Sequence, residues 1–264
     1  MHLVIPSCSG FVGCLLDSLA WWFRDICKCC VERKDYGREN DLLRGSVDGK
    51  DVVFDMSDWP YARVSHTLCW KRQWSPLCVP FPNVRPLPPL THRQWELPSD
   101  LRWSGRDSNT IVYVSRINND RKILSARRQA VYSILEANCS ILADTCTRSR
   151  HQLWEDACRS LAVLHVAGSY PGSLDRTVIE CAALGVPVIT NLIHVWPTAL
   201  PLHPYRHYVP VTEGAEGFAY AVQWLVQYRY CAVSLSTQLR QWYQASTDPQ
   251  RCIDMLLSTD PILL

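Results

Sequence analysis

The chain has 264 residues and a mass of 30.2 kDa, which is enough for one large domain or for two domains of roughly 100–150 residues. Hydrophobic residues make up 47% and charged residues 20%, a balance that excludes a disordered chain. With 27 basic and 25 acidic residues the net charge is +2, so strong electrostatic steering towards nucleic acid is excluded and no specific nucleic-acid partner is expected.

The cysteines and the apolar segments give expectations about compartment and membrane. Thirteen cysteines are about one residue in twenty, and their odd number without a secretory signal predicts mostly buried free thiols. Cys27, Cys29 and Cys30 form a cluster without a paired second knuckle, so we expect no metal. The apolar stretch 11–23 contains Asp17 and is too short to span a bilayer. We expect a cytoplasmic protein without a transmembrane segment, with peripheral attachment to a membrane left open.

The first third of the chain predicts an α/β lobe. The run HLVIPS at residues 2–7 predicts a strand, Ser9 and Gly10 a tight turn, and the apolar spacing over residues 11–23 a helix. Residues 31–50 are polar and charged, and DVVFDMSD at 51–58 predicts a second strand.

The run WKRQW at residues 70–74 mixes aromatic and basic side chains. It predicts a helix surface from which Lys71 and Arg72 reach solvent, and stacking on a base or sugar ring is the alternative.

A proline-rich stretch follows. Seven prolines occur in the 23 residues from Pro76 to Pro98, a density that excludes a continuous helix or a central strand. We place the domain boundary here, between a lobe of residues 1–95 and a lobe of residues 96–264.

The second lobe alternates strands and helices. Strands are predicted at 109–116, 139–143, 161–166 and 186–190, and helices at 126–137, around 153–158, at 173–185, around 218–225 and at 234–257. The alternation predicts a parallel, doubly wound sheet. We therefore expect an α/β protein of two Rossmann-like lobes with parallel sheets.

The helix that reads TVIECAAL holds the most informative residue. Glu180 is its only charge and has apolar neighbours on every side, so we expect its carboxylate near or inside a packed interface. Such a carboxylate needs donors or a cation, and a ribose diol or an internal arginine serves equally well. Ser173 is the expected N-cap and Gly185 the expected glycine that ends the helix.

The run ECAALGVPVIT at 180–190 resembles the donor-binding segment of GT-B glycosyltransferases, in which a glutamate opens the pattern E-A-x-A-x-G-x-P-V-I. The resemblance implies that Glu180 binds the ribose of a nucleotide-sugar at a helix with a positive N-terminal end. It also implies a diphosphate and sugar contact for four residues: Ser173, Asp175, Arg176 and Thr177. Many retaining members carry a glutamate eight positions earlier, where this chain has Gly172.

A second segment, IVYVSRINNDRK at 111–122, resembles the strand and loop that open the donor domain in these enzymes. Arg116 matches their arginine, Lys122 or Arg121 lies near their lysine, and Ser115 replaces their glycine. Two cations at the carboxyl end of a parallel strand can neutralise a diphosphate leaving group. The resemblance therefore implies metal-independent chemistry without a cofactor.

The function implied is a compact GT-B-like glycosyltransferase, of the hexosyltransferase type, that moves a sugar from a nucleotide-sugar donor to a glycan, lipid or protein acceptor in an interdomain cleft. Four residues are equivalent candidates for a base on the acceptor, so the catalytic residue is left unassigned: Asp17, Asp55, Asp58 and His66. Two alternatives remain open. One is a non-catalytic binding module with this fold, and the other is a nucleotide-sugar epimerase.

Overall fold

Two β-sheets with associated helices make up the computed structural model, which confirms the α/β class. The residues that the structure describes are 1–7, 10–34, 42–56, 67–72, 78, 83–90, 97, 100–114, 122–138, 140–143, 149–168, 172, 174–194, 200–212 and 214–258. The chain forms two compact units, of which the first comprises Met1–Glu96, His194–Pro201 and Ala245–Leu264. The second comprises Leu97–Ile193 and Leu202–Gln244.

The first unit contains a six-stranded sheet in the order β2-β1-β3-β4-β5-β6. Its strands are β1 (His2–Pro6), β2 (Cys30–Lys34), β3 (Leu42–Val47), β4 (Lys50–Asp55), β5 (Leu68–Lys71) and β6 (Val84–Pro86). β3 runs antiparallel to β1 and β4, and the other neighbours are parallel, so this sheet is mixed. β2 and β3 lie in the stretch that the sequence marks only as polar and charged. The interpretation of residues 70–74 as a helix surface is wrong at its start, because Trp70 and Lys71 belong to β5 and are fully buried.

An aromatic cluster lies in the core of the first unit. Trp70 stacks on Phe23 with ring centroids 5.7 Å apart and meets Phe54 edge-on at 5.3 Å. Phe23 belongs to a π-helical turn, Trp22–Ile26, that continues helix α1 (Gly10–Trp21), so the predicted first strand and helix are confirmed. Helix α7 (Pro249–Leu257) adds Cys252 and Leu256 to the same core.

The second unit contains a five-stranded sheet in the order β8-β7-β9-β10-β11, parallel throughout. Its strands are β7 (Thr110–Tyr113), β8 (Ser140–Ala143), β9 (Ala162–His165), β10 (Val188–Asn191) and β11 (Val209–Val211). The first four are the predicted ones, and the buried apolar runs of β7, β9 and β10 are typical of parallel strands that are covered on both faces. β11 has Pro210 at its centre and is an edge strand, where proline is tolerated.

The helices of the second unit follow the predicted alternation. They are α2 (Lys122–Asn138), α3 (Arg150–Arg159), α4 (Arg176–Leu184), α5 (Ala215–Gln227) and α6 (Arg229–Ser246). α3 begins with a capping box between Ser149 and Gln152. α4 ends at Gly185, whose φ of 75° confirms the expected glycine.

Two helix boundaries differ from expectation. The N-cap of α4 is Asp175, so the assignment of that position to Ser173 is wrong by two residues. The helix expected over residues 234–257 is two helices, α6 and α7. The break lies at Asp248, whose side chain accepts a 2.9 Å hydrogen bond from Arg251 N, and at Pro249, which is tolerated only in a first helical turn.

A 3-10 turn, Gly105–Asp107, covers the end of α3. Ser104 N donates to Cys158 O at 2.8 Å, and Trp103 Nε1 donates to Ser160 O at 2.8 Å. These bonds satisfy carbonyl groups that a helix leaves without partners at its C-terminal end.

Of the cysteine side chains that the structure describes, most are buried and all are free thiols, as expected. No helix in the described part of the chain has the length and apolarity that crossing a bilayer requires.

Candidate functional site

The strand order of the second sheet fixes where a ligand site is favoured. The chain passes from β7 to β8 on one side and then returns to β9 on the other side of β7. The connections therefore diverge between β7 and β9, and such a switch point opens a crevice at the carboxyl ends of the strands. Val114 follows β7 here, His165 ends β9, and α4 begins at Arg176.

His165 joins the two strand ends to the start of α4. Its Nδ1 lies 2.8 Å from Val114 O, and its Nε2 lies 2.8 Å from Asp175 Oδ2. The Val114 carbonyl oxygen can only accept, so ring Nδ1 donates to it. The Asp175 carboxylate also accepts a 2.9 Å hydrogen bond from Gly168 N.

The Asp175 side chain is turned away from the helix whose N-cap it occupies, since it makes no side-chain capping bond. The Asp175 carboxylate therefore does not cap the backbone N–H groups of the first turn of α4. Arg176 adds a full charge at the first helical residue. This arrangement is suited to an anion.

Glu180 lies one turn further along α4 and its side chain is 0% exposed. Its Oε2 accepts a hydrogen bond from Arg150 Nη2 of α3. Its Oε1 lies 3.6 Å from Arg176 Nε and has no hydrogen bond among the described residues. Burial raises the pKa of the Glu180 carboxyl, and the positive charges of Arg150 and Arg176 oppose that rise.

The two arginines that contact this buried carboxylate, Arg150 and Arg176, are partly exposed. Their side chains are 26% and 32% exposed, and the Arg150 guanidinium also lies 5.5 Å from the centre of the Trp154 ring. Arg150 and Arg176 carry one positive charge more than the Glu180 carboxylate that they contact, and the Asp175 carboxylate lies beside them at the N-cap of α4. The internal arginine that the sequence left open as a partner of Glu180 is thus present.

The remaining predicted donor residues are only partly described. Thr177 is buried in the first turn of α4, beside Asp175 and Arg176. Lys122 is the first residue of α2. Arg116 and Ser173 lie outside the described residues.

The two candidate bases of the first unit that the structure describes, Asp17 and Asp55, have structural partners. Asp17 is exposed and pairs with Arg33 at 2.7 Å. Asp55 pairs with Lys71 at 3.1 Å where β4 and β5 end, and both side chains are fully buried. Asp58 and His66 lie outside the described residues.

Two residues of this candidate site, His165 and Arg150, were not predicted from the sequence. His165 is a polar residue at the end of an otherwise apolar strand, a signal that was available in the run LAVLHV. Arg150 stands thirty positions before Glu180 on a different helix, and no local pattern links the two.

Neither a protein-family model nor a curated protein matches this sequence. Solved structures that are similar to the chain include sucrose-phosphate synthase from Thermosynechococcus elongatus, at 13% identity and a TM-score of 0.39, over 95% of this chain and 55% of the synthase. A glycosyltransferase from Rickettsia africae ESF-5 is 13% identical with a TM-score of 0.41, over 67% of this chain and 57% of that protein. TarM is 12% identical with a TM-score of 0.38, over 61% of this chain and 37% of TarM. The chain thus spans between 37% and 57% of the length of these three proteins.

Proposed function

We propose that the chain binds a nucleotide-sugar at the start of α4 and acts as a glycosyltransferase. In this proposal residues 96–264 form the donor lobe and residues 1–95 the acceptor side. The observation that carries it is the presence of two arginines, Arg150 and Arg176, near the start of α4 at the switch point between β7 and β9.

The diphosphate of the donor would lie against the first turn of α4. Backbone N–H groups of a helix start point at such an anion, and Arg176 would add a charge-assisted hydrogen bond after turning from Glu180. The same cation would stabilise the negative charge that develops on a leaving nucleoside diphosphate. Arg116 and Lys122 would add to this charge, and no metal is required.

The ribose of the donor would bind Glu180 after a movement of Arg176. The Glu180 carboxylate has no exposed surface, but its Oε1 has only the 3.6 Å contact with Arg176 Nε. Rotation of Arg176 from Glu180 towards the phosphates would open Oε1 to a ribose hydroxyl donor. Arg150 would hold the other oxygen, Oε2, in both states, and its charge opposes the rise in the carboxyl pKa that burial causes.

A binding module without transferase activity is the second candidate function. The enclosure of Glu180 by two arginines favours it, because an internal partner already satisfies the carboxylate. The epimerase alternative remains a third possibility, distinguished by conversion of the nucleotide-sugar without an acceptor.

Calorimetric titration of the full chain with UDP, GDP, ADP and their sugar conjugates tests the donor site. We expect one nucleotide to bind selectively. Glu180→Gln should weaken that binding by about 1–3 kcal/mol through loss of a ribose hydrogen bond. Arg176→Met should weaken it by about 1.5–3 kcal/mol through loss of a charged contact to phosphate.

Glu136→Gln is the matched control, because this exposed glutamate lies on α2 and pairs only locally with Tyr132 among the described residues. Equal affinities for Glu180→Gln, the control and the wild type would remove Glu180 from the site. Nucleotide binding without transfer or hydrolysis would assign the binding module instead of the enzyme.

A further inference from the structure

Helix α5 presents an uncharged face to solvent. Residues 217–228 include no Asp, Glu, Lys or Arg, although a surface helix usually carries charges opposite its buried stripe. The buried stripe is formed by apolar residues such as Phe218 and Leu225. Tyr220 is 71% exposed, and Gln223 and Gln227 are also exposed.

Five aromatic side chains lie on this face and beside it, and we call them the aromatic row: Tyr205, Tyr220, Trp224, Tyr228 and Tyr230. Ring centroids lie 6.1 Å apart for Tyr205 and Trp224, 5.9 Å for Trp224 and Tyr228, and 6.2 Å for Tyr228 and Tyr230. Tyr205 and Tyr230 are 66% and 68% exposed. Clustered exposed aromatic side chains are typical of interaction sites.

The aromatic row borders two grooves. The first, of about 770 Å³, lies along the edge strand β11 and the start of α5, with Glu216 at its rim. The second, of about 370 Å³, is lined by Gln223 and Gln227. Tyr220 and Trp224 line both grooves, so one extended ligand can contact them in succession.

We propose that the aromatic row and its two grooves bind a neutral oligosaccharide chain. The flat C–H faces of sugar rings stack on aromatic rings, and their hydroxyl groups pair with amide and phenol groups that both donate and accept. None of the described residues that line the grooves is a lysine or arginine. Nucleic acid and anionic membranes both require such cations for binding, so these two ligand classes are disfavoured. A concave surface that carries amide side chains is instead suited to an uncharged polar chain.

This site goes beyond the proposed donor site and shares no residue with it among those that line the two grooves. β11 lies two strand positions from β9 in the sheet, which corresponds to about 10 Å at the usual strand spacing. Binding of the oligosaccharide needs no nucleotide, so failure of the donor proposal leaves this one standing.

Affinity electrophoresis of the full chain in gels that contain soluble starch, glucomannan, β-1,3-glucan or hydroxyethyl cellulose tests the proposal. At least one polymer should retard the protein, and calorimetry with its oligosaccharides should show affinity rising from two to six sugar units. The double variant Tyr220→Ala/Tyr230→Ala should bind about tenfold more weakly, equivalent to about 1.4 kcal/mol. Both side chains are mostly solvent-exposed, so their removal leaves the core intact.

Tyr220→Phe is the matched control, since it keeps the ring, and it should lose less affinity than Tyr220→Ala. Several results would overturn the proposal. The first is that none of the four polymers retards the protein, and the second is that the double variant binds the oligosaccharides as tightly as the wild type. The third is that the protein sediments with phosphatidylcholine vesicles in a way that depends on Tyr220. The fourth is that the wild type is a dimer and the double variant a monomer. The last two would assign the row to a membrane surface and to a second copy of the chain.

Discussion

Glu180 and Arg150 form an ion pair whose two side chains differ in exposure. Substituting one or the other should therefore lower the free energy of unfolding by different amounts. The Glu180 side chain is 0% exposed and that of Arg150 is 26% exposed. Arg150→Met leaves a buried carboxylate whose remaining ion pair among the described residues is the 3.6 Å contact with Arg176, whereas Glu180→Gln leaves arginines that can turn to water. Removing one partner of a fully buried pair costs about 3–5 kcal/mol. We therefore expect Arg150→Met to lower the free energy of unfolding by about 3 kcal/mol and Glu180→Gln by about 1 kcal/mol.

The effect of Arg150→Met should depend on pH. Burial already raises the pKa of the Glu180 carboxyl, and Arg150 opposes that rise, so its removal raises the pKa further. When the folded pKa exceeds the unfolded value of about 4.3, the folded state binds more protons, and stability falls as pH rises between the two values. The loss relative to wild type should thus be smaller at pH 5 than at pH 8.

Urea unfolding of the wild type, both variants and the Glu136→Gln control at these two pH values measures the differences. A Glu180→Gln variant that is destabilised as much as Arg150→Met would refute the reasoning, because it would show that the arginine cannot reach solvent. A loss for Arg150→Met that grows towards pH 5 would refute it as well.

Substitutions at three further places test the packing. Lys71→Met should lower the free energy of unfolding by about 3–5 kcal/mol, because it leaves the Asp55 carboxylate fully buried without the ion pair to Lys71. Adding Asp55→Leu should restore most of that stability. Additive losses of the two substitutions in urea unfolding would contradict this prediction. Gly105→Ala should lower stability by at least about 3 kcal/mol, because a Cβ there would lie 1.7 Å from Ser160 O, and an unchanged melting temperature would exclude that close approach. Ser149→Ala should lower stability by about 1 kcal/mol through loss of the α3 cap, and a neutral result in thermal unfolding would show that the cap is dispensable.

The fold was predictable where strands are buried on both faces. β9 and β10 are continuous apolar runs, and such runs mark a strand without knowledge of its neighbours. β2 was missed because its side chains are alternately exposed and half-buried, so the run CVERK has no apolar face. β3 was missed because Gly45 replaces an apolar residue at an inward position, where a Cβ would lie 2.3 Å from Val4 O.

The candidate site was predictable only to the extent that local chemistry determines it. A lone carboxylate inside an apolar helix had to be buried and partnered, and Glu180 is both. Its partner was not predictable, because the contact with Arg150 depends on how α3 and α4 pack. The contact between His165 and Asp175 likewise depends on the position of α4 relative to the end of β9.

The return of α7 to the first unit has a consequence for the order of folding during synthesis. Arg85, buried on β6, donates a 2.9 Å hydrogen bond to Ser258 O, 173 residues later in the chain. All of the second unit is synthesised between these two residues. Domains usually fold in the order in which they leave the ribosome, but here the core of the unit that emerges first lacks Cys252 and Leu256 until α7 is made. The second unit can therefore reach its native state while the first still exposes the core surface that α7 will cover, and this interval is when the nascent chain is most exposed to aggregation and to chaperones.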